Sequence, residues 1–103
     1  MYKLEFFSEI EDDLNTLDDS VYDEVAAYFE KLKKEPFAYS KPLYNQGNLN
    51  LKGYRKVYLA NATYRIIIRI NNGIAYVVQI VAVGKREEKE VYIDAFSRIQ
   101  KNS

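Results

Sequence analysis

Apolar and polar positions change rhythm several times along this chain. Residues 2 to 7, YKLEFF, read as a short first strand. Ser8 offers an N-cap with Glu11 three residues on, and Ile10, Leu14 and Leu17 follow at helical spacing. Asp19 or Ser20 can cap a second helix, whose apolar stripe is Val21, Val25, Tyr28 and Leu32 with Phe29 beside it. Lys31, Lys33 and Lys34 suit the C-terminal end of that helix dipole, and Pro36 ends it. Only a tight turn near Asp18 and Asp19 separates the two helices, which predicts an antiparallel hairpin with its many acids on solvated outer faces.

Residues 37 to 52 carry no period and read as a loop. Three strands are then expected. In residues 53 to 60, Val57 and Leu59 point one way and Tyr54, Lys56 and Tyr58 the other. In residues 63 to 70, Tyr64, Ile66, Ile68 and Ile70 share one face, and Arg65, Ile67 and Arg69 the other. Asn72-Gly73 is a hairpin signal, and residues 74 to 83 are apolar on both faces, as an interior strand requires. Tyr92, Ala95, Phe96 and Ile99 mark a last short helix, with Glu87, Glu88 and Glu90 suited to its N-terminus. The expected fold is α+β, in the order β-α-α-β-β-β-α. A helix hairpin covers one face of a small, mainly antiparallel sheet, in one domain over residues 1 to 103.

Composition narrows the chemistry. The chain has no cysteine and no histidine, which removes disulfides, thiolate chemistry, the commonest general base and the commonest metal ligand. No apolar run reaches the roughly 18 to 20 residues of a membrane span. The start lacks the pattern of a signal peptide, so a cytoplasmic location is expected. The net charge is zero but sharply divided. Residues 1 to 40 hold eleven acids against four lysines, and residues 41 to 103 hold eleven cations against four acids. No acid lies between Pro36 and Arg86, which suggests an anionic partner for the second half. The bland alternative is a basic face balanced by acidic helices within the fold.

The stretches GYRKVYLANATYRIIIRI and VAVGKREEKEVY, in this element order, resemble the RelE/ParE toxin superfamily over nearly the whole chain. The resemblance implies a toxin of a type II toxin–antitoxin system, with a cognate antitoxin as partner and no cofactor or metal. In the RelE-like branch it implies cleavage of mRNA in the ribosomal A site, inhibiting translation. The family pattern falls on Lys56, Arg65, Arg86 and Tyr92, whereas a second family lysine is replaced by Tyr58. Lys52, Tyr54, Arg55, Arg69 and Lys85 are the further residues expected to contact RNA. A gyrase inhibitor of the ParE kind, or an inactive antitoxin-binding member, are the alternatives.

The chemistry stands beside the resemblance. An RNase that needs no metal can use the 2′-OH of RNA to attack the adjacent phosphorus. It needs a base for that hydroxyl, cations for the phosphorane, and help for the leaving 5′-oxygen. Packed cations lower the pKa of a tyrosine or a lysine, so Lys56 or Tyr58 is the candidate base. Arg65 and Arg86 are the candidate phosphate clamp, and Arg86 or Tyr92 serves the leaving group. Tyr92 has two other readings, a stacking platform for a base and an apolar anchor of the last helix.

Overall fold

The computed structural model describes residues 1–44, 46–59 and 63–102. β1 (Lys3–Phe6) leads into α1 (Ile10–Asn15) and α2 (Asp19–Lys34). β2 (Lys41–Pro42), β3 (Arg55–Leu59), β4 (Tyr64–Asn71) and β5 (Val77–Lys85) follow. A 3-10 turn at Glu87–Lys89 then opens α3 (Glu90–Lys101). The expected order is present, with β2 added inside the segment read as a loop. Ala60, the end of one expected strand, lies outside the described residues. Among the described residues no helix is long and apolar enough to cross a membrane.

The five strands form one sheet in the order β1-β5-β4-β3-β2, with β1 parallel to β5 and every other pair antiparallel. The helical stripes supply the first core. Ile10 of α1 and Val21, Val25 and Leu32 of α2 pack with Val57, Leu59, Ile66, Ile68, Val78 and Ile80. The opposite face, which alternation gives to Lys56, Tyr58, Arg65 and Ile67, is partly covered. Leu43 and Leu51 from the irregular segment, and Val91, Tyr92 and Ala95 from α3, cover Ile67, Val81 and Ala82 there. Irregular backbone contributes two wholly buried leucines, which no periodicity announces.

β5 serves both cores through a bulge. Ile67 pairs with Ala82, but Ile68 pairs with Ile80, leaving Val81 as an extra residue. Val78 and Ile80 therefore face the α1–α2 core, Val81 and Ala82 both face α3, and Val83 returns to the first core. β1 ends opposite Ile80, so the outer edge of β5 is uncovered beyond that point. Asp13 of α1 takes over. Its Oδ2 accepts from the Val83 N–H (2.9 Å) and from Arg98 (2.6 Å), and its Oδ1 accepts from Arg98 (2.7 Å). Arg98 also donates to the Val81 carbonyl at 3.0 Å. One carboxylate thus joins α1, the β5 edge and α3, and it raises the Arg98 pKa, chiefly through that hydrogen bonding. Asp13 is an exception among the acids expected to be solvated.

Three local expectations are corrected. Asp18, not Asp19 or Ser20, caps α2, its Oδ1 accepting from the Val21 N–H at 3.0 Å. Extended φ/ψ at Asp18 is what frees its side chain to do so. Ser8 donates to Glu9 instead of forming a capping box, and Glu9 holds the cap position of α1 without its side chain capping the helix. The β4–β5 connection runs from 72 to 76 and is not a two-residue turn. The Asn71 carbonyl side chain captures the Gly73 N–H at 3.1 Å, which favours a wider local turn.

Candidate active site

The alternation in β3 sends Val57 and Leu59 into the first core and Lys56 and Tyr58 to the other face. Pairing register then sets Tyr58 opposite Arg65, and Arg65 opposite Gly84. Arg65 is only 3% exposed, its guanidinium carbon lying 4.1 Å from the centre of the Tyr58 ring. One of its terminal nitrogens donates to the Tyr64 carbonyl at 3.1 Å. Lys56 and, from β2, Lys41 place their ammonium groups 5.4 and 5.5 Å from the same ring centre. Lys41 and Lys56 are direct cross-strand partners, a like-charge pairing that costs stability.

Tyr58 is 38% exposed and sits at the centre of this charge. Hydrogen bonding from Lys56 leads in holding its pKa below that of an ordinary tyrosine, and the charges of Lys56, Arg65 and Lys41 act the same way. Partial desolvation works in the opposite direction. The strands that carry the cluster supply no carboxylate, since no acid occurs between Pro36 and Arg86. The result is local positive charge around an ionisable phenol, suited to a phosphate.

Gly84 completes the row by omission. A Cβ there would lie 3.5 Å from the Val91 side chain, in ordinary van der Waals contact with α3. Two residues later, Arg86 is exposed and held by its backbone, its N–H donating to Thr63 at 3.0 Å. Glu88 and Lys89 then take left-handed conformations, at φ 53° and 59°, as the chain turns into α3. Such conformations are uncommon for residues with side chains.

The remaining expected residues separate. Tyr92 is 6% exposed and packs in the second core, where it anchors α3. Its place on the apolar stripe decides this, because the stripe faces the sheet. Arg55 lies at the far end of β3, donating from Nε to Ser40 Oγ (2.7 Å) and from a terminal nitrogen to the Ser40 carbonyl (2.9 Å). It braces the segment before β2. Lys52, Tyr54 and Arg55 line a cavity of about 580 Å³ that includes none of Lys56, Tyr58, Arg65 or Arg86. Arg69 lies beside Tyr54, 5.9 Å from its ring centre, and four residues along β4 from Arg65. At about 3.3 Å per residue that is roughly 13 Å away. Lys85 is exposed and pairs with Tyr64.

Lys41 was not among the expected site residues. Its only sequence signal is membership of the acid-free stretch. Among the described residues no group of carboxylates is arranged to hold a metal ion.

The architecture is that of a small, mainly antiparallel sheet braced by a helix hairpin, a class of fold seen in bacterial toxins. The toxin–antitoxin complex RelBE2 from Mycobacterium tuberculosis contains a chain 28% identical to this one, with a TM-score of 0.66, over 82% of this chain and 98% of that one. A mutant E. coli toxin RelE in the free state matches at TM-score 0.72 and 24% identity, over 95% and 97%. The archaeal RelE–RelB complex from Pyrococcus horikoshii matches at TM-score 0.62 and 19% identity, over 82% and 94%. No protein-family model and no curated protein matches the sequence. The chain belongs to the RelE-like toxin superfamily.

Proposed function

We propose that this chain is the toxin of a toxin–antitoxin pair and acts in the cytoplasm as a metal-independent, ribosome-dependent mRNA endonuclease. The observation that carries the reading is Tyr58, flanked by Lys41, Lys56 and Arg65 on strands that offer no carboxylate. The neighbours solved with the RelB antitoxin support an antitoxin as the protein partner.

In this reading Tyr58, as phenolate, takes the proton of the 2′-OH. The 2′-oxygen bonds to phosphorus, the bond to the 5′-oxygen breaks, and the products are a 2′,3′-cyclic phosphate and a 5′-hydroxyl. Lys56, half-buried, and Arg86, exposed, face the phosphorane oxygens, and Arg86 hydrogen-bonds the leaving oxygen while solvent protonates it. Arg65, covered by the Tyr58 ring, is a positioning residue: it holds the ring and biases it toward phenolate. The clamp expected of Arg65 and Arg86 together is thereby divided between two roles. Tyr92 supports the site from beneath by fixing α3.

The pH profile of cleavage tests the base. A phenol with a lowered pKa gives more phenolate at a given pH, so single-turnover cleavage of a message in programmed ribosomes rises with pH below that pKa. Tyr58→Phe is expected to remove this rise and to lower the rate by roughly 10²–10⁴-fold, the usual worth of a general base. Lys41→Ala is expected to displace the rise to higher pH. An unchanged profile in Tyr58→Phe would move the role to Lys56. Growth arrest with intact mRNA and a DNA-damage response would replace the nuclease with a gyrase inhibitor.

A further inference from the structure

Beside the cationic cluster, on the side away from Arg86, lies a second feature. A cavity of about 220 Å³ opens between the α2 end, the segment before β2, and β3. Lys56 and Tyr58 form one wall, so the cavity is continuous with the candidate active site. Tyr28 and Tyr39 form another, with ring centres 6.4 Å apart and planes at 78°. Lys41 stands at its rim, and the Lys31 ammonium lies 4.5 Å from the Tyr28 ring centre and 5.5 Å from that of Tyr39.

We propose that this cavity is a nucleotide subsite, taking the base next to the scissile phosphate against Tyr39, with the adjoining phosphate on Lys41. The proposal rests on the RNA-cleaving reading for the identity of the ligand, a single RNA strand. Four observations lead to it. The volume is below the roughly 300–1,000 Å³ of pockets for drug-sized ligands, which suits one planar ring system. Aromatic rings beside lysines are the usual platform for single-stranded nucleic acid. No acidic side chain lines the cavity. The wall is also preorganised: Ser40 is buried, donates to the Pro36 carbonyl at 2.6 Å, and accepts from Arg55. The bracing by Arg55 thus holds Tyr39 and Lys41, which flank Ser40, in place. With rings and ammonium groups as its main contacts, the subsite reads stacking and charge, so it tolerates every base.

The test uses the full chain and a trinucleotide of RNA with every 2′-oxygen methylated, which binds but cannot be cut. In an NMR titration the ring protons of Tyr39 and Tyr28 are expected to shift. Tyr39→Ala is expected to weaken binding about tenfold, within the range for loss of a stacked base, whereas Tyr39→Phe keeps it. Lys41→Gln is expected to weaken binding and to reduce its salt dependence. Arg86→Ala retains the Tyr39 shifts. Rings that stay unmoved, or a Tyr39→Ala chain that binds as tightly as the original, would overturn the subsite. So would ring shifts produced by an antitoxin peptide but not by the trinucleotide. Failure to cut a translated message, with the Tyr39 shifts present, would sink the nuclease reading alone. Cutting that persists with unmoved rings would sink the subsite alone.

Discussion

Arg86→Ala is expected to lower cleavage of a translated message by about 10²–10³-fold, the usual cost of losing one preorganised donor at a developing oxyanion. The fold should be nearly untouched. Arg86 is exposed, and its described bonds are made by the backbone: its N–H to Thr63 and its carbonyl from Lys89. Alanine keeps both. A lost rate with an unchanged melting curve would therefore report chemistry, not damage. Arg86→Lys keeps the charge but loses the planar fork, and should recover only part of the rate. Mapping the 5′ ends of a message after induction gives the readout. Cuts within codons that persist in Arg86→Ala would remove this residue from the mechanism.

Asp13→Ala has the largest expected effect on stability. It strips partners from the Val83 N–H and from Arg98 together, and leaves a largely buried guanidinium without its carboxylate. Breaking such a pair from one side costs about 3 kcal/mol. That is a large share of the ~5–15 kcal/mol typical of a domain. Urea unfolding followed by tyrosine fluorescence would show it as a lower midpoint. Asp13→Asn keeps one acceptor oxygen and should fall between. A double change, Asp13→Leu with Arg98→Met, removes both charges and is expected to recover part of the loss. A single-variant cost within ±0.5 kcal/mol, typical of an exposed surface site, would show that the carboxylate does not tie α1 to α3.

What was legible in the chain follows from which residues obey a period. The α2 stripe, the alternation in β3 and β4, and the apolar β5 each announce an element, and together they bring Tyr58 and Arg65 to one face. Lys41 and Tyr39 belong to a segment without period, so their arrival beside Tyr58 depends on a two-residue strand and on the Arg55–Ser40 brace. Asp13 read as one more solvated acid because its neighbours are acids. The helical phase was present, since it lies three residues from buried Ile10, but its partner is 85 positions away. Tyr92 shows the reverse case. A motif suggested chemistry, while its spacing from Ala95 and Phe96 described a residue of the core. The depth of Arg65 was also hidden, because alternation gives the face a side chain takes and not what lies above it.

The extra residue at Val81 acts as a half-period shift in a two-residue wave. Ahead of it, the even-numbered residues Val78 and Ile80 face the helix hairpin. Behind it, Val83 takes that face, while even-numbered Ala82 faces α3 and Gly84 meets Arg65 on that side. Because the bulge absorbs that residue, a chain lacking Val81 would pair Ile80 and Ala82 in succession with Ile68 and Ile67, and Gly84 would still meet Arg65. The cationic cluster would keep its place, and the loss would fall on the α3 core, which would give up one buried side chain. The spare position thus separates two duties of one strand, filling the second core and delivering the charged end.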